Sequence, residues 1–504
     1  MTAFLNTLQR LAWSNWGFAV FIGFVLVLVN AWSMFVGPPS GIHFTRQTDS
    51  LSFVANFAAG APFTEPEVYN LNSIEGRSGA EFPLLYWLSA QAWKLFGDQE
   101  WILRLFTAVL CMSGLFALLR IARRFIDDRF MAWSVAALTV SSPILFYYLP
   151  NFLPDASALG CALLGWAAFF RYWMDERPRS AYVAVFWFTL SGLLKITYFI
   201  HPIAALSSLA LIGWMDGVRT GHLLKRHAVL IIGLALGAAA TAGWNLYAIA
   251  YNTAYKNYYF LVESRPIWKI DQAAIAQVWE YMTEFWFKHY YFGHFTRLFW
   301  VLLFVSLVFM KHGARRLQAV AWLSALGGLA YAALFFKQFR DHDYYFMVFI
   351  PIVGLNLINA FVTLKNRFGG VAYGPLVKVF MYLFLTVGLW QLDLVDRYRK
   401  VEMERRFDDT SALYSAVREA LDEAGISRDA RMLVVADPTE NGSLYFLRRK
   451  GWTVGDASAF TDELAEIYRV SGAEYLVCSP GMNPPPSIQK QLLSLNGVNV
   501  YVLN

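Results

Sequence analysis

The sequence predicts a polytopic α-helical membrane protein that carries a small soluble α/β domain at its C-terminal end. Of its 504 residues, 57% are hydrophobic and 15% are charged, whereas an ordinary globular chain has about 25% charged residues. About eleven apolar stretches are long enough to cross a hydrocarbon core of about 30 Å as helices. This composition excludes a disordered chain, and three cysteines are too few for a disulfide-stapled secreted scaffold.

The predicted spans are runs of mostly apolar residues bounded by charged or turn-forming residues. They lie at 16–36, 103–121, 130–149, 156–173, 181–200, 202–216, 228–250, 297–311, 317–336, 344–363 and 372–392. The run Phe82–Phe96 is too short to cross the membrane and is interrupted by Lys94. We therefore predict that it forms an amphipathic helix on the membrane surface.

Basic residues are concentrated in every second short loop. Lys and Arg number 42 against 36 Asp and Glu, which gives a net charge of +6. The basic residues of these loops are Arg120, Arg123, Arg124, Arg129, Arg171, Arg177, Arg179, Arg219, Lys225, Arg226, Lys311, Arg315, Arg316, Lys365 and Arg367. By the positive-inside rule these loops face the cytoplasm, so the N-terminus is inside and, after eleven spans, the C-terminal segment is outside. The positive charge thus indicates membrane orientation and no nucleic-acid partner.

The remaining polar sequence falls on the outer side, opposite the cytoplasm. It comprises loops at about 37–102 and 251–296 and a tail at 393–504. Residues 1–392 are therefore predicted to form the transmembrane domain and 393–504 a separate domain. The second loop interleaves aromatic and charged residues between Trp279 and Tyr291, a pattern typical of an amphipathic interfacial helix.

The tail alternates β-branched runs with helical patterns. We predict strands at Met432–Ala436, Trp452–Val454, Tyr475–Cys478 and Val498–Leu503, and helices at Ser443–Arg449, Thr461–Val470 and Pro484–Leu495. Such alternation predicts a small parallel α/β layer. We interpret it as a structural or acceptor-side module without chemistry of its own.

Two aspartates stand at predicted helix starts on the outer side. Asp49 precedes a helical stretch at Ser50–Ala59, and Asp155 begins the fourth span. A carboxylate at the membrane–water boundary is placed to accept a proton from a substrate. The alternative for both residues is a helix N-cap, because Asp accepts hydrogen bonds from free backbone amides there. Spacing alone leaves both interpretations open.

Cations lie on the same outer face. Lys195 is near the outer end of the fifth span, where an intramembrane lysine costs roughly 2.5–3.5 kcal/mol and is by default paired or functional. Snorkelling of its ammonium to the headgroups is the alternative. The segment Lys337–Tyr345 adds Arg340 and His342, and its alternative is a solvated turn.

Four separated polar clusters therefore fall at the outer ends of predicted spans. This arrangement suits a reaction between a lipid-borne phosphate and a hydroxyl acceptor, because cations neutralise the leaving phosphate while a carboxylate takes the acceptor's proton. A transporter or lipid flippase is the competing class, but such proteins usually have internal repeats and broken helices around a midplane site. A non-catalytic membrane scaffold is the third possibility.

Several strings occur together in a characteristic order. They are Arg46-Gln47-Thr48-Asp49, Glu81-Phe82-Pro83-Leu84-Leu85-Tyr86-Trp87, Phe96-Gly97, Glu100-Trp101, Arg104-Leu105, Pro154-Asp155-Ala156, Leu194-Lys195 and His342-Asp343-Tyr344-Tyr345. In this order they resemble bacterial members of glycosyltransferase family 39, which are related to protein O-mannosyltransferases and the lipid A aminoarabinose transferase. The resemblance covers about residues 16–392 and leaves out the tail.

The resemblance implies a GT-C fold and an inverting transfer of a sugar from a polyprenyl-phosphate donor. The acceptor would be a lipid-linked glycan, lipopolysaccharide or protein. It implies that Asp49 is the general base or positions the acceptor, and that Asp155 is the second acidic residue. The cations facing donor phosphate would be Lys195, Arg46 and Arg340, and the residues contacting substrate would be Glu81, His342 and Tyr345.

One departure concerns Glu81-Phe82, because some relatives have a basic residue just before the Pro-Leu-Tyr-Trp stretch. Glu81 cannot bind phosphate, so it is expected to orient a cation, bind a metal or contact the sugar. A divalent metal is a further option, since five acidic or imidazole side chains are predicted on the outer face. They are His43, Glu81, His289, His294 and His342, but their spacing does not match a compact zinc site. No cofactor is assigned.

Overall fold

A computed structural model describes residues 11–260, 264–404 and 407–503. Most of this chain is helical. The helices are Asn15–Leu28, Ala31–Val36, Phe44–Ala59, Leu84–Phe96, Trp101–Phe125, Arg129–Val140, Pro143–Tyr148, Asp155–Asp175, Arg179–Leu194, Ile200–Met215, Thr220–Arg226, Ala228–Ala254, Gln272–Tyr281, Phe287–Tyr290, Gly293–Val308, Arg315–Leu334, Gln338–Asp341, Phe349–Phe368, Pro375–Glu404, Asp408–Glu423, Gly442–Leu447 and Asp462–Val470.

Among the described residues, six helices are long and apolar enough to cross a membrane. They are Trp101–Phe125, Ile196–Met215, Ala228–Ala254, Arg315–Leu334, Asp343–Tyr373 and Pro375–Arg399. A seventh span results if Gln272–Tyr290 and Gly293–Val308, which meet at a bend of 93°, count as one. The chain is thus a helical membrane protein, but the predicted number of eleven spans is not confirmed.

The difference arises because several predicted apolar runs are broken or short. The run at 16–36 is interrupted at Asn30, whose φ of 45° ends one helix before the next begins. The run at 130–149 is interrupted after Val140, where Pro143 starts a new short helix because proline cannot continue the preceding one. Arg179–Leu194 has 16 residues, which is about 24 Å of helix.

The described residues cluster into two compact units. The first comprises 11–35, 104–244 and 264–397, and the second comprises 36–103, 245–260, 398–404 and 407–503. The first outer loop and the tail therefore share one unit.

In the first unit, the loops predicted to be cytoplasmic contact one another. Arg124 donates to Asp175 at 2.9 Å, and Arg315 pairs with Asp216 at 2.9 Å. Asp175 ends the 21-residue helix that Asp155 begins, so these two residues lie about 30 Å apart along the helix axis. Asp155 therefore lies at the opposite end of its helix from the basic loops.

The second unit contains a five-stranded sheet in the order β2-β1-β3-β5-β4. The strands are β1 Met432–Val435, β2 Gly451–Val454, β3 Tyr475–Cys478, β4 Gln491–Leu495 and β5 Val498–Val502. The four predicted strands are present, and the helices predicted at 443–449 and 461–470 occur as Gly442–Leu447 and Asp462–Val470.

Two predictions for the tail are wrong. Residues 484–495 were predicted to be helical, but β4 occupies 491–495 and pairs antiparallel with β5. The sheet is therefore mixed, with β2, β1 and β3 parallel and β5 antiparallel to β3. The reason is the two-residue turn Asn496-Gly497, where both φ angles are positive (52° and 83°). Asn-Gly favours this hairpin turn because its twist matches that of the paired strands.

The first outer loop is ordered against the tail within the second unit. Leu71 donates its backbone amide to Gly451 at 2.7 Å, and Lys450 pairs with Glu67 at 2.6 Å. The short apolar run predicted to be an amphipathic helix forms the helix Leu84–Phe96. Its buried residues recur at helical spacing and include Leu85, Ser89 and Trp93.

Candidate functional site

Asp49 lies inside a helix rather than at its start. The helix runs from Phe44 to Ala59 and is preceded by His43 in a left-handed conformation with φ 60°. Asp49 is 0% exposed and belongs to the second turn of the helix. The N-cap interpretation of Asp49 is therefore wrong, and its burial needs another explanation.

Burial controls the charge state of Asp49. Loss of solvation raises the pKa of the Asp49 carboxyl to about 7, although the nearby Arg46 guanidinium and a hydrogen bond from Tyr259 lower it. The carboxylates of Glu440 and Glu81 raise it further. The Tyr259 hydroxyl donates to Oδ2 of Asp49 at 2.9 Å. The result is a carboxyl that gains and loses a proton near neutral pH.

Arg46 and Glu81 form an ion pair beside Asp49's helix. A guanidinium nitrogen of Arg46 lies 2.5 Å from a Glu81 carboxylate oxygen. The Tyr86 hydroxyl donates to the same carboxylate at 3.4 Å, and the guanidinium also lies over the Phe260 ring, 5.3 Å from its centroid. This geometry matches the expectation that Glu81 orients a cation.

Tyr259 and Glu440 were missed by the sequence analysis. The segment around Tyr259 is fixed by Asn252, which accepts from the Gly79 amide at 2.6 Å and donates to the Phe260 carbonyl at 3.0 Å. A single asparagine in an aromatic stretch matches no recognisable motif, so this contact was not predictable from the sequence. Glu440 belongs to the tail, which was expected to lack chemistry.

Asp155 and Lys195 form the second charged cluster, in the first unit. Asp155 is 1% exposed and is the first residue of its helix, with Pro154 at the N-cap position. Its Oδ2 lies 3.5 Å from Nζ of Lys195, whose side chain is 16% exposed. Lys195 follows directly after the helix Arg179–Leu194, in extended backbone. The pairing and low exposure argue against a snorkelling lysine.

Aromatic rings surround this lysine. Its Nζ lies 5.0 Å from the ring centroid of Tyr344 and 5.5 Å from that of Tyr345, distances at which a ring face attracts a cation. The ring of His342 packs against both tyrosines, with centroids 5.4 and 5.6 Å away. The segment is held by Asp343, which accepts from the Tyr148 hydroxyl at 2.5 Å.

Arg340 lies nearby in sequence but is half exposed and pairs with Asp341 at 3.8 Å. Its carbonyl accepts from the Trp286 indole at 2.9 Å. Its side chain lines a surface cavity of about 420 Å³ with Gln277, Glu280, Tyr281, Glu284 and Phe285.

The predicted site residues thus form two clusters, one in each unit. Arg46, Asp49 and Glu81 belong to one, and Asp155, Lys195, His342 and Tyr345 to the other. Within the part of the chain that the structure describes, no three His, Cys, Asp or Glu side chains are grouped to hold a metal ion. The five residues considered for a metal are not such a group.

Comparison with known proteins gives the fold. Residues 80–244 match the family model described as dolichyl-phosphate-mannose-protein mannosyltransferase, whereas no curated protein sequence matches the chain significantly. The structure of ArnT from Cupriavidus metallidurans in the apo state matches with a TM-score of 0.58 at 14% identity, over 96% of this chain and 97% of that one. A second ArnT structure is bound to undecaprenyl phosphate.

Two further solved structures share this architecture. Arabinofuranosyltransferase AftD from Mycobacteria matches with a TM-score of 0.58 at 16% identity, over 97% of this chain and 40% of that one. Archaeal oligosaccharyltransferase AglB from Archaeoglobus fulgidus, in complex with an inhibitory peptide and a dolichol-phosphate, matches with a TM-score of 0.51 at 12% identity, over 91% and 69%. The resemblance identified from the sequence is confirmed for the fold: this is a multi-pass membrane protein with the GT-C fold, and its residues 80–244 match the mannosyltransferase family model.

Proposed function

We propose that this protein is a membrane glycosyltransferase that moves a sugar from a polyprenyl-phosphate donor to an acceptor hydroxyl, with inversion at the anomeric carbon. The observation that carries the proposal is the enclosed Asp49 carboxyl, whose pKa is raised by burial to about 7. A general base works best when its pKa is near the working pH, because it is then both ionised and sufficiently basic.

The two oxygens of Asp49 have different surroundings. Oδ2 accepts the Tyr259 hydroxyl, while Oδ1 is buried and has no hydrogen-bond partner among the described residues. A buried carboxylate oxygen without a donor is unfavourable, and an acceptor hydroxyl would supply that donor. In this proposal Oδ1 takes the proton as the hydroxyl oxygen attacks the anomeric carbon.

Cations bind the donor phosphate in this proposal. Lys195 is the principal one, with Arg46 and Arg340 assisting, because charge-assisted contacts stabilise the negative charge that develops on the leaving phosphate. Asp155 holds the Lys195 ammonium in place. The bound lipid phosphates in ArnT and AglB support a lipid-phosphate donor here.

Glu81, His342 and Tyr345 are assigned to substrate contacts. Glu81 acts mainly through Arg46, with which it is paired. The Tyr345 ring lies beside Lys195, and the His342 ring packs against Tyr345. The acceptor classes that fit the proposal are a lipid-linked glycan, lipopolysaccharide or a protein. Membrane lipid surrounds the spans.

We place the reaction at the outer, periplasmic face of the bacterial cytoplasmic membrane. The contacts among the basic loops support this placement, since Arg124 and Asp175 bring two of the predicted cytoplasmic loops together. The expected topology has the C-terminus outside. Alkaline phosphatase fused after Asn504 should be active, and a fluorescent protein fused there should remain dark. The reverse pattern would contradict the orientation.

The pH dependence of transfer follows from the pKa of Asp49. Because the base must be ionised, the protonated form is inactive, so kcat/KM should rise with pH up to about 7 and level off above it. An ordinary aspartate would give a profile that is already flat from about pH 5. The measurement is radiolabelled sugar transfer in nanodiscs between pH 5 and pH 9. A profile flat across pH 5 to 7 would contradict the role of Asp49.

A transporter or lipid flippase remains the alternative function, and a cellular experiment separates the two. Lipid-linked glycans and glycoproteins from cells with and without the gene are compared by mass spectrometry. A glycosyltransferase predicts an acceptor that lacks one sugar in the deletion strain, together with accumulated donor. If the protein is a flippase, the deletion strain should contain unprocessed lipid, although every enzyme that acts on the acceptor side is still active.

A further inference from the structure

The buried position of Asp49 raises the question of how its proton returns to water. Asp49 is 0% exposed, yet a base that takes one proton in each turnover must release it before the next. The Tyr259 hydroxyl that donates to Oδ2 belongs to a residue that is 37% exposed. Tyr259 therefore links the enclosed carboxyl to the outer part of the unit.

Glu440 is the second carboxyl that interacts with this tyrosine. Its carboxyl interacts with the Tyr259 hydroxyl, and its charge also acts on Asp49. Unlike Asp49, which is fully buried, Glu440 is partly exposed to solvent. Asp49, Tyr259 and Glu440 thus run from a buried carboxyl to an accessible one.

Hydrogen bonds and close packing hold the loop that carries Glu440 against the helix that contains Asp49. Asn441 is fully buried and donates its amide to the Ser52 hydroxyl at 2.7 Å, one helical turn from Asp49. The loop is closed on itself by Asp437, which accepts from the Thr439 amide at 2.8 Å. A Cβ at Gly442 would stand 2.5 Å from the Phe44 ring, so the loop packs directly on the start of that helix.

A single phenolic proton serves two carboxylates in this arrangement. When both carboxylates are ionised, Tyr259 can donate to only one of them at a time. When Asp49 is protonated, it can donate to the tyrosine oxygen while the tyrosine donates to Glu440. The three groups can therefore pass a proton outward once the protonated carboxyl of Asp49 has turned toward Tyr259.

We propose that Tyr259 and Glu440 form a proton relay that carries the acceptor's proton from Asp49 to water. The O–H bond of the acceptor breaks and a bond from its oxygen to the anomeric carbon forms, while the bond from that carbon to the donor phosphate breaks and Oδ1 of Asp49 takes the proton. A half-turn of the carboxyl group then brings the protonated oxygen to Tyr259, where Oδ2 lay before. Asp49 gives this proton to the tyrosine oxygen, and the tyrosine gives its own to Glu440. Glu440 releases it to solvent, so the protein returns to its starting state. The inference rests on the proposed glycosyl transfer.

Charged and titratable groups face both ends of the relay. Asp49 is faced by Arg46, Glu81, Tyr259 and Glu440, and Glu440 is faced by Asp437 and Tyr259. Partial burial raises the pKa of the Glu440 carboxyl, which keeps it able to hold a proton briefly before water takes it. Through Glu440, the C-terminal tail would take part in the proton transfer.

The test uses the full-length protein in nanodiscs and measures the transfer rate at pH 8. Glu440→Gln and Tyr259→Phe should each lower it about tenfold, less than the 10²–10⁴-fold typical of a direct base. The double variant should lose no more than either single one, because both changes interrupt the same path. Glu463→Gln, an exposed glutamate elsewhere in the tail, is the matched control and should be unchanged.

Chemical rescue separates a relay from a structural contact. Glu440→Ala should regain activity with added formate, which can reach an exposed position and accept the proton, whereas Tyr259→Phe should not. A Glu440→Gln rate equal to that of Glu463→Gln, or a Glu440→Ala loss that formate does not restore, would overturn the relay. If the wild-type protein itself transfers no sugar, the proposed function fails, which is a distinguishable result.

Discussion

Replacing Asp49 by asparagine is expected to lower sugar transfer by about 10²–10⁴-fold while the protein remains folded. Asparagine keeps the shape of the side chain and can accept the Tyr259 hydrogen bond through its amide oxygen, but it cannot take a proton. Transfer of radiolabelled sugar from a polyprenyl-phosphate donor measures the loss. Asp429→Asn, at an exposed position in the same unit, is the matched control and should transfer at the wild-type rate.

Stability gives an independent readout for the same variant. The folded-state pKa of Asp49 is raised above the ordinary value of 3.8 to about 7, so the folded protein binds the extra proton between those values. The contribution of Asp49 to stability is therefore greatest below pH 4 and falls as pH rises to 7. The thermal midpoint of Asp49→Asn relative to wild type should rise as the pH increases from 4 to 7.

The transfer rate of the same variant decides the catalytic role. If Asp49→Asn keeps more than about a tenth of the wild-type rate, Asp49 is not the general base.

Replacing Lys195 by alanine is expected to produce the second-largest effect, about 10²-fold in kcat/KM for the donor. Removing one partner of a buried charge pair typically costs 2–5 kcal/mol, and every 1.4 kcal/mol is about tenfold. Lys195→Arg should not restore activity, because the planar guanidinium is wider than an ammonium and cannot occupy the same space between Asp155 and two tyrosine rings. Steady-state kinetics with varied donor concentration measure the effect.

Lys195→Ala leaves Asp155 without its cation, so a loss of folding must be separated from a loss of donor binding. The double variant Asp155→Asn with Lys195→Met removes both charges and keeps the volume, and it should recover thermal stability. Transfer should stay as low as in Lys195→Ala, because the phosphate-binding charge is still missing. Wild-type kinetics in either variant would indicate that Lys195 has only a structural role.

The local structure around Asp49 was not predictable from the sequence. Asp49 was expected to be either a helix N-cap or a general base. The N-cap interpretation arose because an aspartate before a helical stretch is a common helix start. The helix instead begins at Phe44, after His43 in a left-handed conformation. Since His43 does not have the usual capping side chain, no local pattern marked the true start.

Contacts between distant segments were not predictable from one sequence. Tyr259 is 210 positions from Asp49 and Asn441 is 389 from Ser52, and none of these pairs has a spacing that a motif would record. The pairing of Asp155 with Lys195, by contrast, was partly foreseen because an intramembrane lysine requires a partner. The sheet was predicted where β-branched runs are continuous and missed at β4, where only the Asn496-Gly497 turn indicates a strand.

The number of membrane spans illustrates another limit. Apolar composition over about 20 residues indicates a span, but it does not show where a helix breaks. Asn30 and Pro143 interrupt two of the predicted runs, and their effect on the backbone is local and independent of the mean apolarity of the run.

The central claim is that a sugar leaves a polyprenyl phosphate and is bonded to an acceptor hydroxyl. The most direct measurement supplies the purified protein in nanodiscs with polyprenyl-phosphate sugars that carry a radiolabel in the sugar, together with an acceptor extract from deletion cells. Mass spectrometry then follows the free polyprenyl phosphate. The label should move to the acceptor as equimolar polyprenyl phosphate appears, and Asp49→Asn should stop both. Intact donor redistributed between the two leaflets, with no labelled acceptor, would rule out sugar transfer.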